Sequence, residues 1–235
     1  MQRERARISV IIPTLEEEAY IEAILSELKA VKPSVEIVVV DGGSHDRTVE
    51  LARKFSKKVF QTVKSGIAAG RNYGAMKASG DILVFMDTDV RFRGNLFEKV
   101  QDAFNDSMVV GATCNIMPFS NKPTEKAFFA FYNQLIRFTA PFKPHSRGEF
   151  LAVRKTAFES VHGFDESMPC LEDHDLANRI AKFGRFVFIS DLTVYESMRR
   201  FRKLGFRRVI GTWFIDYIAF VIRGKPVSAT WKPVR

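Results

Sequence analysis

Apolar residues arrive in this chain as short dense runs divided by stretches of helical periodicity. Residues 8–12 read as a buried strand, which Pro13 breaks. Thr14-Leu15-Glu16-Glu17 has the S/T-x-x-E form of a capping box and predicts a helix to about residue 31, with Ile21, Ile24, Leu25 and Leu28 on one face. Residues 36–40 form a second apolar run, ending in Asp41-Gly42-Gly43-Ser44. A helix over about 46–55, a short strand over 58–61 and a small-residue helix over 66–79 follow. Gly80 closes that helix and introduces residues 82–86, five apolar positions in a row, a pattern typical of a strand buried on both faces. A helix over 94–105 and a strand over 108–115 complete the first half.

Strands and helices alternating at this spacing predict an α/β fold, a mostly parallel sheet flanked by helices. In such a sheet, ligands bind at the carboxyl ends of the strands. Three polar clusters end strands here, at residues 13–17, 41–46 and 87–89, and parallel strands would bring all three to one crevice. In the last cluster Asp87 and Asp89 stand one residue apart. Two carboxylates in a dry crevice call for a cation, and a hard divalent ion, Mg²⁺ or Mn²⁺, takes oxygen ligands and can hold a diphosphate. The plainer alternative is an Asp pair that ends a strand and opens a turn.

Beyond residue 115 the pattern changes. Residues 121–142 are rich in Phe and predict an amphipathic helix ended by Pro141. A strand over 149–153, a short helix closed by His162-Gly163, a helix opened by residues 169–175 and closed by Gly184, and a last strand over 186–190 follow. Residues 209–222 form an apolar run of 14, interrupted by Gly211 and Asp216. That is short of the roughly 20 residues needed to span a bilayer. Flanked by Arg207, Arg208 and Arg223 and carrying Trp213 and Tyr217, it reads as a basic amphipathic helix lying in a membrane interface.

Charge sharpens that reading. The 235-residue chain carries a formal +9, and residues 199–235 hold ten Lys/Arg against one acid, so the preceding 198 residues are neutral. A basic tail of this kind wants an anionic membrane surface; nucleic acid is the poorer partner because no nucleic-acid-binding motif accompanies the charge. Composition is that of an ordinary globular domain, 46% hydrophobic and 27% charged. Cys114 and Cys170 lie far apart without metal spacing, which favours a reducing compartment, and the polar start of the chain gives no signal peptide. The expected location is therefore cytoplasmic, peripheral on the inner face of the cell membrane.

Pro13-Thr14-Leu15-Glu16-Glu17, Asp41 to Thr48, Ala69-Gly70-Arg71-Asn72-Tyr73-Gly74, Asp87-Thr88-Asp89 and Leu171-Glu172-Asp173-His174-Asp175, in that order, resemble the motifs of a family 2 glycosyltransferase of the GT-A fold, over roughly residues 8–190. The resemblance implies a Rossmann-like domain over residues 1–196, with a nucleotide-binding half at about 8–115 and an acceptor half at about 116–196, followed by the basic tail, 197–235. It further implies a UDP- or GDP-sugar donor, a divalent metal and inversion at the anomeric carbon. Pro13, Thr14 and Glu17 would surround the nucleoside and Asp41, with Ser44 beside it, the base. Asp87 and Asp89 would hold metal and diphosphate, Asp89 as the direct ligand, and Asp173 would be the general base. Glu16 stands where the family more often has Asn, Gly42 where it often has Asp. Arg91 replaces a Gln common in the dolichyl-phosphate mannose synthase branch.

Each assignment has a structural competitor. Glu17 suits a helix cap as well as a ribose contact, and Asp41 suits a turn with Gly42-Gly43. Arg71 and Lys64 could face the diphosphate or solvent. The three acids at 172–175 suit any helix start. Arg199 and Arg200 could clamp the donor diphosphate or a lipid-linked phosphate, or form a solvated helix face. The acceptor expected from the tail is a polyprenyl phosphate or a glycolipid. Competing functions are a haloacid-dehalogenase-like phosphatase with Asp87 as nucleophile, a nucleotidyltransferase, and a non-catalytic nucleotide- or lipid-binding module.

Overall fold

The computed structural model describes residues 6–62 and 66–229; Lys64 and the last six residues of the tail lie outside them. Among the described residues a single eight-stranded sheet runs in the order β3-β2-β1-β4-β7-β6-β8-β5. Its first four members, β1 (Ile8–Thr14), β2 (Glu36–Asp41), β3 (Lys58–Gln61) and β4 (Ile82–Met86), are parallel. β7 (Phe150–Arg154) runs against both β4 and β6 (Val109–Pro118), so β6 points the same way as β4. β8 (Arg185–Glu196) is parallel to β6, and β5 (Val90–Phe92) antiparallel to β8. Six strands thus share a direction, as the apolar runs required. Because β7 sits between β4 and β6, the two halves of the chain build one continuous sheet.

Helices cover both faces. On one lie α1 (Ile21–Ala30), α2 (Thr48–Arg53), α4 (Leu96–Phe104), α5 (Pro123–Thr139), α8 (Arg199–Leu204) and α9 (Phe206–Arg223), around a core with Ile12, Val84 and Phe97. On the other lie α3 (Ile67–Lys77), α6 (Lys155–Ser160) and α7 (Glu172–Ile180), around Ile11, Phe85 and Leu176. The small residues of α3 are what let it approach the sheet. A Cβ on Gly74 would lie 2.4 Å from Ile11 Cγ2 and 3.1 Å from Val40 Cγ2.

Three local expectations are corrected and one strand is added. β1 continues through Pro13, which pairs in register with Val40; near the end of a strand the missing N–H costs a single ladder bond. Thr14-x-x-Glu17 is no capping box, since α1 starts only at Ile21 with no side-chain cap, and the Glu17 carboxylate is bound to Arg199. β5 was invisible at three residues with Arg91 in the middle. β8 runs on to Glu196 because a bulge after Ile189 absorbs the polar Ser190-Asp191, and Asn115 Nδ2 bridges it to the carbonyls of Ser190 and Leu192.

Candidate active site

The carboxyl ends of β1, β2 and β4 open into one cavity of about 330 Å³. Pro13, Thr14, Glu17 and Gly42 line it on one side, Asp87 and Asp89 on another, and Arg199, Arg200 and Trp213 close it from the C-terminal segment. The predicted convergence of three polar clusters is therefore present, with Asp41 buried behind the lining and Ser44 half-buried beside it. Asp41 is fully buried and its carboxylate accepts from four donors: Gly43 N at 3.0 Å, Ser44 N at 2.9 Å, Ser44 Oγ at 2.5 Å and Thr14 Oγ1 at 3.3 Å. Ser44 Oγ in turn accepts from Glu16 N at 2.7 Å. Asp41 and Ser44 thus bond the loop that borders the cavity, as a turn-forming Asp does.

Arg199 reaches across the cavity mouth. Its Nη1 and Nη2 fork onto the Glu17 carboxylate at 2.9 and 2.6 Å, its Nε lies 2.7 Å from Asp89 Oδ2, and its guanidinium stacks 4.7 Å from the Tyr20 ring. Burial nevertheless raises Asp89 above the usual carboxylate range, against the pull of Arg199. Two further acids that the sequence did not single out line the same cavity, Glu149 and Glu196. Buried Arg147 holds both, its Nη2 at 2.6 Å from Glu196 and its Nε at 3.4 Å from Glu149. Burial, and then Glu149 alongside, push Glu196 well above the ordinary range, with Arg147 opposing. Nothing local in sequence joins residues 149 and 196; the side-by-side order β7-β6-β8, with Glu149 just ahead of β7 and Glu196 at the end of β8, does.

Arg71 is neither solvated nor exposed to this cavity. It is 1% exposed and joins the two halves of the site: Nη1 donates to Glu172 at 2.6 Å, and Nη2 to Asp87 Oδ1 and the Gly148 carbonyl, both at 3.1 Å. A Cβ on Gly148 would sit 3.0 Å from that Nη2, so glycine is what admits the guanidinium. Burial pushes Asp87 up to about 8 despite Arg71, with Glu149, Asp89 and Glu172 adding to the rise. A pocket in which burial and crowding raise the pKa of acids even beside arginines fits a divalent cation, and carboxylate oxygens are the right donors for Mg²⁺ or Mn²⁺. Among the described residues no three Asp, Glu, His or Cys side chains form a ready cage. Such ions need none: one or two carboxylates plus substrate phosphate oxygens suffice.

A second cavity, about 140 Å³, adjoins the first and shares Ile67, Asp87, Glu149 and Trp213 with it. Asp173 and His174, at the start of α7, line it with Tyr132 of α5 and Tyr217 of α9. Leu171, just before them, is held at φ 62°, an uncommon backbone for a branched residue, which turns the chain into the helix. Asp173 is 6% exposed, and its Oδ1 accepts from His174 N at 2.9 Å and lies 3.0 Å from His174 Nδ1. Burial opposes its charge, but His174 and then Arg71 override it and hold the carboxyl below the usual range. His145 continues the cluster, 3.1 Å from the Tyr217 hydroxyl. Asp216, expected to interrupt an interfacial helix, is buried, and its carboxylate ties down Val227 N, Ser228 N and Ser228 Oγ.

A family model described as Glycosyl transferase family 2 matches residues 9–163, and one described as Glycosyltransferase like family 2 matches residues 114–223. The chain belongs to glycosyl transferase family 2. Glycosyltransferase AglE of Haloferax volcanii is 37% identical over 230 residues, which cover 90% of this chain and 76% of that protein. A dolichol-phosphate mannosyltransferase of Pyrococcus furiosus is 29% identical over 170 residues, 66% of this chain and 48% of that one. Among solved structures, mannosyltransferase PcManGT from Pyrobaculum calidifontis, in complex with GDP-Man and Mn²⁺, superposes with a TM-score of 0.74 at 24% identity, over 94% of this chain and 65% of that one. The fold is that of the GT-A glycosyltransferases. The chain spans 40%, 48% and 61% of the length of three of the curated relatives it matches. Family membership overturns the phosphatase and nucleotidyltransferase readings.

Proposed function

We propose that this family 2 chain moves a sugar, with inversion, from a GDP- or UDP-sugar to a lipid-linked acceptor, a polyprenyl phosphate or a glycolipid, at the inner face of a cell membrane. The observation that carries the reading is that Asp87 is a wall common to both cavities, so a donor diphosphate beside it would lie next to the space that Asp173 lines. In this reading Pro13 and Thr14 flank the nucleoside, Asp89 and Asp87 hold Mg²⁺ or Mn²⁺, and Arg199 and Arg200 turn to the diphosphate oxygens. A cation held by these carboxylates would supply positive charge to the departing diphosphate. Arg71 keeps Asp87 and Glu172 in fixed relation across the boundary. Asp173 accepts the proton of an acceptor hydroxyl as that oxygen attacks the anomeric carbon from the face opposite the diphosphate. A phosphate acceptor, already ionised, needs no base. The name of the Pyrococcus furiosus relative supports an acceptor of that lipid-phosphate class.

Titration calorimetry with GDP, UDP and their sugars, with and without Mn²⁺, tests the proposal. Binding of one nucleotide series strengthened by the metal is expected; affinity indifferent to Mn²⁺ throughout overturns it.

A further inference from the structure

α5 and α9 run side by side in the same direction. The Phe128 ring packs edge-on against Phe206, 5.4 Å away, near their N-termini, and Lys143, just past the end of α5, lies 5.8 Å from the Tyr217 ring. Each helix is apolar on two faces. Phe129 and Ile136 of α5, and Val209 and Ala219 of α9, point into the core. On the outside, Phe131, Leu135, Phe138 and, just beyond the helix, Phe142 follow each other along α5, while Phe214, Ile218, Val221 and Ile222 do the same along α9. Phe138 and Phe142 are 74% and 84% exposed. At roughly 150–250 Å² per ring, the four phenylalanines alone leave on the order of several hundred Å² of apolar surface uncovered, more than scattered surface residues account for.

Charge identifies the occupant. Over residues 122–145 and 206–225 there are eight Lys/Arg (Lys122, Lys126, Arg137, Lys143, Arg207, Arg208, Arg223 and Lys225) and two acids, Glu125 and Asp216, both buried. A second copy docked on this face would bring one basic rim against another, which is repulsive. No helix among the described residues is long and apolar enough to cross a membrane. We propose that α5 and α9 together form a platform that lies in the headgroup region of an anionic bilayer, with the acceptor cavity, lined by Tyr132 of one helix and Tyr217 of the other, held at the lipid surface. This extends the expected interfacial helix to a surface of which α5 is half, and it rests on the reading of the acceptor as lipid-linked.

Removing α9 is no test, because its Val209 belongs to the core and Trp213 lines both cavities. The experiment is co-sedimentation of the full chain with phosphatidylcholine vesicles, with and without phosphatidylglycerol, at low and high salt, for the wild type, for a variant combining Phe138→Ser with Phe142→Ser, and for Ile222→Ser. Expected are wild-type binding that needs phosphatidylglycerol and weakens with salt, a loss of about tenfold or more in the double variant, and a smaller loss in Ile222→Ser, with Mn²⁺-dependent nucleotide binding unchanged. Double-variant partitioning equal to wild type, or binding indifferent to phosphatidylglycerol, overturns the platform. So does a wild-type dimer in sedimentation velocity that the double variant abolishes, since the face would then belong to a second copy. Nucleotide binding in the wild type reports separately on the donor reading, so either idea can fail alone.

Discussion

Asp173 is a buried carboxylate kept ionised by its own sequence neighbour. The His174 backbone and ring both face its Oδ1, and Arg71 adds positive charge from behind. Asp173→Asn preserves shape and one acceptor oxygen while removing the base. It should lower kcat by about 10²–10⁴-fold toward a hydroxyl acceptor with donor affinity unchanged, as steady-state kinetics and calorimetry would report. Glu36, far from the site, has a different task. Burial would raise its pKa, but Lys58, Ser79 and Ser9 converge on it and hold it at about 2, against an ordinary 4.5. A depressed folded pKa means that this stabilisation is complete above about 4.5 and is lost as pH falls toward about 2. Glu36→Gln should therefore cost about 1–3 kcal/mol at neutral pH and flatten the acid limb of a urea-unfolding series. The Asp173 motif could be read from the chain, because its residues are contiguous. The Glu36 cluster could not, because its partners come from residues 9, 58 and 79.

Elements were legible where one signal sufficed. Unbroken apolar runs located β1, β2 and β4, and small residues located α3. They failed where pairing decides: β5 exists because β8 lies beside it, and the second half of β8 because a bulge lets it rejoin β6. Glu17 looked like a cap only because the distance to Arg199 cannot be read along the chain. The same logic makes α3 fragile. Gly74→Ala gains helix propensity of up to about 1 kcal/mol but drives a methyl to within 2.4 Å of Ile11, itself fully buried under the helix. Overpacking should win, with a net loss of about 1–3 kcal/mol in denaturant unfolding, whereas Gly211→Ala, where a Cβ meets nothing within 4 Å, should be neutral or stabilising.

Across the whole molecule, the charge imbalance of residues 199–235 made the C-terminal segment look like an addition to a finished domain. It is instead part of both cavities, through Arg199, Arg200, Trp213 and Tyr217. Composition describes how much charge a segment carries, not which way its side chains point, and here one face turns inward with Asp216 while the other stays apolar and uncovered. Arg199 is the joint. It spans Glu17, Asp89 and the start of α8, so a guanidinium occupies the carboxylate that the proposed function gives to a metal. If it leaves Asp89 for the diphosphate when donor and metal enter together, it acts with opposite sign on the two ligands. Arg199→Ala should bind Mn²⁺ alone several-fold more tightly, because a competing cation is gone. It should bind GDP or UDP in the presence of Mn²⁺ about tenfold more weakly, because a phosphate donor is gone with it. Mn²⁺ electron paramagnetic resonance titrations and nucleotide calorimetry on the same variant measure the two arms. A loss of metal affinity in step with nucleotide affinity would instead make Arg199 a structural strut between α8 and the sheet.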